Sequence, residues 1–378
     1  MKVLVDCTQI ARKKAGVGVY GLNLIKGMCE CQYEGLELWL LVQSDDPDFS
    51  FEKDGTHIVY VPSRLFRYLP FRFLLEQVYI PWLLQRHKID VLHSLHYSFP
   101  LWRTRARKIV TICDMTFFII PEVHLPVKLA YFRFFIRAVS RRADALIFIS
   151  TSTKADWRRY FPKSSKPSFV IPMGKGPAYR PDIDPCEIDR TTLKHGITQP
   201  YILYIGTIEP RKNLPRLVAA FAQLAESFPA HRLVIAGMKG WMYAELYEKV
   251  KSLHLQSRVI FTGFVPEEDK PGLLAGAEVF VYPSLYEGFG IPVLEALACG
   301  APTLTSNISS LPEVAGDAAV LVNPEEIDDI ANGLQKLLTN SALRDSLRLK
   351  CVYQASLFDW NRTVDATIQA YLTTAFQP

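Results

Sequence analysis

Apolar runs of three to five residues alternate with stretches of helical spacing along the whole chain, and this rhythm constrains the fold more than any other feature. In the first half the runs lie at 3–5, 38–42, 58–61, 91–93, 109–113, 145–149 and 169–171. In the second they lie at 201–205, 232–236, 259–262, 279–282, 303–305 and 320–322. Short runs rich in Val, Ile and Leu, without polar alternation, read as strands covered on both faces. Strands separated by helices pair in parallel. A chain of 378 residues exceeds one ordinary core, so the rhythm predicts an α/β protein with two parallel-sheet domains. Four prolines and two glycines between 172 and 185 interrupt the apolar periodicity and mark the boundary. The reading is a first domain at 1–172, a linker at 173–198, a second domain at 199–358 and an amphipathic terminal helix within 359–378. Ligands are expected in a cleft between the domains, outside the carboxyl ends of the strands.

The sharpest local pattern is Tyr286-Glu-Gly-Phe-Gly-Ile-Pro-Val-Leu-Glu295, which follows the run at 279–282. Gly288 and Gly290 allow a tight turn and close approach to a ligand. Pro292 suits the first residue of a helix, and Gly300 suits its stop. Strand, glycine loop and helix start together aim the amides of Gly288, Phe289, Gly290, Ile291 and Val293 at whatever lies above the strand, an arrangement fit for phosphate. Glu287 and Glu295, with seven residues between them, flank this cradle. Carboxylates would repel phosphate, so they read as acceptors for hydroxyls on either side of a diphosphate. The plain alternative is a solvated loop acid and an acid that complements the helix dipole. A second constellation, Gly206-Thr-Ile-Glu-Pro-Arg-Lys-Asn213, follows the run at 201–205. Asn213 reads as an N-cap. Arg211 and Lys212 precede it at the positive end of a helix, where two cations call for a compensating anion.

Glu287-Gly-Phe-Gly-Ile-Pro-Val-Leu-Glu295 resembles the E-x7-E signature of retaining glycosyltransferases with the GT-B fold, in particular glycosyltransferase family four. Residues 296–303 and 306–316 continue the likeness without a gap; it covers most of the chain and is sharpest over 201–324. The resemblance implies two Rossmann-like parallel-sheet domains facing a cleft, the second holding a nucleotide-sugar donor and the first the acceptor, with the terminal helix crossing back to the first. It implies that Glu287 positions the donor sugar, that Glu295 takes the ribose, and that Arg211 and Lys212 hold the diphosphate in place of a divalent metal. No cofactor and no metal are expected. Gly16, in a glycine loop after the first run, and Gly206 and Gly237, after later runs, fall on the donor side. Asp114 either orients a sugar hydroxyl or caps the next turn. His93, His96 and Cys113 fall on the acceptor side, His93 and His96 reading equally well as polar loop residues. Relatives usually carry His where this chain has Cys113. The texture is nearest to bacterial mannosyltransferases of polysaccharide assembly, which makes GDP-mannose the first donor and a UDP-sugar such as UDP-glucose the second. The acceptor is then a glycan or lipid-linked glycan. A nucleotide-sugar epimerase, a phosphorylase and a non-catalytic sugar-nucleotide binding subunit share the same features.

Residues 1–172 hold 25 Lys and Arg against 15 Asp and Glu, whereas 173–378 hold 18 against 23, so the halves meet different partners. No nucleic acid is expected among them. Two stretches mix arginine with aromatics, 64–75 and 128–142; in the second, Arg133, Arg137 and Arg141 recur every four residues. Such a stripe fits either peripheral contact with an anionic membrane or a core helix with a solvated face. The first residues read as a strand and not as an export leader. No apolar run is long enough to span a bilayer. Seven dispersed cysteines form no zinc pattern and suit a reducing compartment. The expected location is cytoplasmic, with the inner membrane face as its periphery.

Overall fold

A computed structural model describes the chain apart from residues 11–15, 32, 50–54, 62, 377 and 378. It forms two compact units, Met1–Gly174 with Asp359–Pro378, and Lys175–Phe358. The first contains β1 (Lys2–Asp6), β2 (Glu37–Val42), β3 (Thr56–Tyr60), β4 (Val91–Ser94), β5 (Arg107–Ile112), β6 (Ala145–Phe148) and β7 (Ser168–Val170). These make one parallel sheet in the order β3-β2-β1-β4-β5-β6-β7. The second contains β8 (Tyr201–Ile205), β9 (Arg232–Ala236), β10 (Val259–Gly263), β11 (Val279–Tyr282), β12 (Thr303–Ser306) and β13 (Ala319–Val322). Its order is β10-β9-β8-β11-β12-β13, again parallel. All thirteen apolar runs are therefore strands. The central ones, β4, β6, β8, β11 and β12, are buried at every position, as two-sided cover by helices requires.

The order of each sheet reverses once, at β1/β4 in the first and at β8/β11 in the second. Connections leave in opposite directions there, and the crevice outside the carboxyl ends of those two strands is open to a ligand.

The helix Trp360–Ala375 belongs to the first unit, where it packs on the helix Val17–Glu30. A Cβ on Gly27 would lie 2.6 Å from Val364 Cγ2, so the absence of a side chain sets that approach. Asp359 caps its start by accepting from Asn361 N at 2.6 Å.

Three local expectations are corrected. The stretch read as linker contains a helix, Pro185–Lys194, whose N-cap Asp184 accepts from Cys186 N. It packs within the second unit against the helix Lys270–Gly276, so the linker reading stops short of residue 185. Prolines dominated that reading, yet Pro185 is a helix starter. Asn213 is not a side-chain cap: its backbone is left-handed (φ 61°), and its amide nitrogen donates to Pro283 O and Pro324 O, holding two loops together. Pro292 is the second helical residue, Ile291 the first.

Candidate active site

At the β8/β11 reversal, the turn Pro210–Lys212 and the loop 283–290 meet. Leu285 N donates to Arg211 O at 2.9 Å, and Ser284 Oγ lies 3.0 Å from the same oxygen. This brings Glu287 between both cations. Its Oε2 is 2.6 Å from Arg211 Nη1, and its Oε1 is 2.6 Å from Lys212 Nζ and accepts from Ser284 Oγ at 2.6 Å. Arg211 is fixed further by Glu209 (2.7 Å) and by Tyr286 O (2.7 Å). Lys212 donates to Tyr282 OH at 2.6 Å, and the ring of Tyr282 stacks on Tyr204 at 5.6 Å. The compensating anion that the sequence called for is thus supplied from within the chain, by Glu287 and Glu209.

Burial alone would push the Glu287 carboxyl up. Arg211 and then Lys212, with hydrogen bonds from Lys212 and Ser284, reverse this and hold it down at about 2. Burial, with Arg211 alongside, lowers Lys212. The loop itself is clamped by two serines: Ser309 Oγ accepts from Glu287 N at 3.1 Å, and Ser310 Oγ is bonded to Glu287 O (2.9 Å) and Phe289 O (2.6 Å).

The helix Ile291–Ala298 begins at Gly290, whose φ of 117° is open to glycine. Val293 N and Leu294 N both turn back to Gly290 O. Among the described residues no acceptor takes the amides of Phe289, Gly290 or Ile291, which follow Glu287 on the same loop. Val293 is therefore excluded from the cradle. The Phe289 side chain turns inward against Phe358, so only its backbone is offered. The Gly288 amide adjoins Glu287.

Glu295 is buried on the same helix. Burial drives its pKa up to about 7; Lys270 opposes, Glu267 reinforces and a hydrogen bond from Tyr179 opposes. The one hydroxyl hydrogen of Tyr179 is shared with Glu267, and Glu267 pairs with Lys270 at 2.5 Å. Three further groups, Tyr179, Glu267 and Lys270, thus surround the second carboxylate.

The remaining candidates divide. Gly206 and Gly237 serve packing first: a Cβ on Gly237 would come within 1.9 Å of Gly206 O. Gly16 precedes the helix Val17–Glu30 with φ 47°, and a Cβ there would meet nothing within 4 Å. Residues 11–15 of the same loop lie outside the described residues. His93 is fully buried between Tyr371 OH and Thr111 Oγ1, each at 2.7 Å. Burial lowers its pKa to about 3, and its acceptor-side reading is corrected to a neutral core residue that anchors the terminal helix. Asp114 caps its own turn: Oδ1 accepts from Thr116 N, Thr116 Oγ1 and Tyr97 OH. Cys113 is buried with its thiol raised by burial and turned 3.6 Å from Leu95 O, so it offers an acceptor nothing reactive. His96 is half-buried at the β4 end. Arg133 donates to Phe117 O at 2.7 Å and, like Arg137, stands 5.5 Å over the ring of Phe118, so the arginine stripe is partly spent on the fold.

Sequence reasoning missed Ser284, Ser309, Ser310, Glu209, Tyr179, Glu267 and Lys270. Ser309 and Ser310 fall within the stretch 306–316 read above, but only the fold shows that their hydroxyls bind the loop. Among the described residues no three His, Cys, Asp or Glu side chains come together as a metal site would need.

Residues 187–355 match the family model for glycosyl transferases group 1, and residues 15–174 match that for Glycosyltransferase Family 4. An O-antigen chain mannosyltransferase B of Escherichia coli is 30% identical over 381 residues, spanning 98% of this chain and 99% of that protein. Among solved structures, a sucrose-phosphate synthase from Thermosynechococcus elongatus superposes with a TM-score of 0.78 at 19% identity, over 99% of this chain and 98% of that one. Anabaena Alr3699/HepE, solved in complex with UDP and glucose, gives 0.76 at 18% identity, over 99% and 100%. With two parallel Rossmann-like sheets, a full-length relative and these structural neighbours, the chain belongs to glycosyltransferase family four and is a glycosyltransferase of the GT-B fold.

Proposed function

We propose that the chain transfers mannose from GDP-mannose, with retention at the anomeric carbon and without a metal, to a hydroxyl of a glycan or lipid-linked glycan in cell-surface polysaccharide assembly. The observation that carries this reading is the pairing of Arg211 and Lys212 with Glu287 at a strand-order reversal, on the same loop whose following amides, of Phe289, Gly290 and Ile291, are untaken among the described residues. Cations and amides suit a diphosphate leaving group, where charge develops. Glu287, held ionised, accepts from donor-sugar hydroxyls, and Glu295 accepts from the ribose. Mannose is the sugar named for the Escherichia coli relative. Retention follows with front-face departure, the leaving phosphate taking the acceptor's proton. UDP-glucose is the second donor, supported by the complex of the Anabaena neighbour.

The test offers GDP-mannose and UDP-glucose, each with a mannose-terminated lipid-linked acceptor, in EDTA. Release of GDP and an α-linked product by NMR are expected. A β-linked product, or activity that needs added Mg²⁺, refutes the corresponding part. Tight binding of nucleotide sugars without any turnover would make this a binding subunit.

The partner surface we assign to lipid is not the arginine stripe but the contiguous helical segment Leu69–Leu74, Leu75–Tyr79 and Ile80–Arg86. Its inner side buries Leu75, Ile80, Leu83 and Leu84. Its outer side carries Phe71, Leu74, Val78 and Trp82, spaced three and four apart and 41–63% exposed. A helix apolar on both sides needs a second apolar partner. Five Lys and Arg between 64 and 88 stand against one acid, Glu76, which is buried against Arg72, so an anionic bilayer fits. No helix among the described residues is long and apolar enough to cross a membrane. Wild type should co-sediment with phosphatidylglycerol vesicles at low salt, and Val78→Asp with Trp82→Asp should stay in solution. Wild type left in the supernatant at low salt would refute the contact.

A further inference from the structure

The β1/β4 reversal of the first sheet holds a second polar constellation that the donor chemistry leaves unused. Gln9 comes three residues after β1 and His96 two after β4. Gln9 Nε2 lies 3.0 Å from His96 O and 2.7 Å from Ser98 Oγ, and its Oε1 lies 2.9 Å from His96 Nδ1. A main-chain carbonyl can only accept, so the amide group facing His96 O must be the NH₂. That turns Oε1 to the ring, and an amide oxygen can also only accept. Nδ1 therefore carries a hydrogen, which leaves Nε2 of a neutral ring with a bare lone pair.

The rest of the constellation holds this arrangement still. Ser98 Oγ is bonded to Glu76 Oε1 at 2.6 Å, and Tyr131 OH donates to Glu76 Oε2 at 3.0 Å. Arg72 Nε is 2.6 Å from Glu76 Oε1, an ion pair without hydrogen-bond alignment, and Arg72 Nη2 reaches Asp6 at 3.4 Å. Asp6, Arg72, Glu76 and Ser98 are all buried, and Glu76 sits on a π-helical turn, an irregularity frequent at functional sites. The imidazole packs between Tyr97 at 4.1 Å and the edge of Phe132 at 5.1 Å. Burial lowers the His96 pKa to about 4, Asp114 opposing and Arg72 assisting, which keeps the ring neutral. Among the described residues, Nε2 has no bonding partner.

We infer that Gln9 is a positioning residue: it locks His96 in the Nδ1–H tautomer, so that the bare Nε2 accepts a hydrogen bond from a hydroxyl of the sugar acceptor. The ligand in this statement rests on the glycosyltransferase reading above; the lock itself does not. A half-buried pair on the first unit, built from one residue after each strand of the reversal, is what a site for a neutral polyhydroxyl ligand requires: an acceptor of fixed direction and no charge to desolvate.

Nitrogen NMR of ¹⁵N-histidine-labelled, ligand-free protein decides the lock, with His96 identified by the signals missing from His96→Phe. Nδ1 should be protonated and Nε2 bare at neutral pH, and Gln9→Met, of similar length but without an amide oxygen, should give a mixture of tautomers. Kinetics with GDP-mannose and the mannose-terminated acceptor should then show the acceptor KM rising about tenfold in Gln9→Met and in His96→Phe, the loss of one net hydrogen bond, with the donor KM unchanged. A protonated Nε2 in wild type, an unaltered tautomer in Gln9→Met, or an unmoved acceptor KM in a His96→Phe variant that still turns over would each overturn the inference. If wild type turns over no sugar nucleotide, the functional reading fails instead, and the nitrogen spectrum still decides the lock.

Discussion

Glu287→Gln should cut turnover about a hundredfold or more while leaving affinity for the nucleoside diphosphate intact or higher. The substitution keeps the size and the bond to Ser284 but removes the charge between Arg211 and Lys212. Two opposite consequences follow from one geometry. In the ligand-free protein Glu287 neutralises the two cations that the diphosphate needs, so stripping its charge strengthens their pull on phosphate. In the transition state the charged acceptor that we propose for the donor sugar is lost, and the leaving group gains nothing in exchange. Folding suffers too, because breaking one side of a buried ion cluster costs on the order of 3 kcal/mol. Thermal unfolding, calorimetry with GDP and single-turnover kinetics separate the three effects. Turnover at the wild-type rate with a donor in hand would remove Glu287 from the chemistry. Nucleotide affinity falling in step with turnover would instead make it a binding residue alone.

How far the sequence carried can be seen from where each residue sits. Strands such as 201–205 and 279–282 are apolar at every position because helices cover both faces, and that pattern is visible one residue at a time. Glu287, Gly290 and Glu295 were legible because strand, loop and helix start are consecutive. The pairing of Lys212 with Glu287 was not: 75 residues separate them, and only the adjacency of β8 and β11 brings them together. Likewise nothing in the spacing links Gln9 to His96, 87 residues away, until β1 is known to lie beside β4. His93 and His96, three apart, read alike as a sequence. They part in the fold because His93 is the third residue of a buried strand and meets Tyr371 of the terminal helix, whereas His96 lies beyond the strand end. Cys113 drew attention through a missing histidine, but its thiol is turned toward a backbone carbonyl and away from solvent.

On the ribose role proposed for Glu295, which needs an ionised carboxylate, donor affinity should rise with pH between 6 and 8, by about tenfold, because burial raises that carboxyl to about 7. Burial raises it first; the nearby Glu267 adds to this, while Lys270 and the Tyr179 hydroxyl fail to cancel it. A nucleoside diphosphate sugar has no group of its own that titrates in this window. The sign separates Glu295 from the other ionisable group in the site: Lys212, lowered by burial and by Arg211, would lose its charge as pH rises and so weaken binding. Stability carries the matching signature. Glu295 in the folded chain keeps a proton that the unfolded chain releases near 4.5, so its contribution falls as pH climbs from there to about 7. Glu287, held at about 2, runs the other way, its contribution full above 4.5 and lost as pH drops toward 2. Toward neutrality His93 and His96 oppose the Glu295 slope: held at about 3 and about 4 by burial, they stay neutral in the folded chain while the unfolded chain takes up protons near 6.5, so their contribution grows as pH rises through that value. Calorimetry with GDP-mannose at pH 6, 7 and 8 measures the binding side, and urea unfolding at the same pH values measures the other. Glu295→Gln should weaken the donor at pH 8, flatten the binding profile, and gain stability relative to wild type as pH climbs toward 7. A wild-type affinity that is level or falls across this range would show that Glu295 does not hold the ribose as a carboxylate.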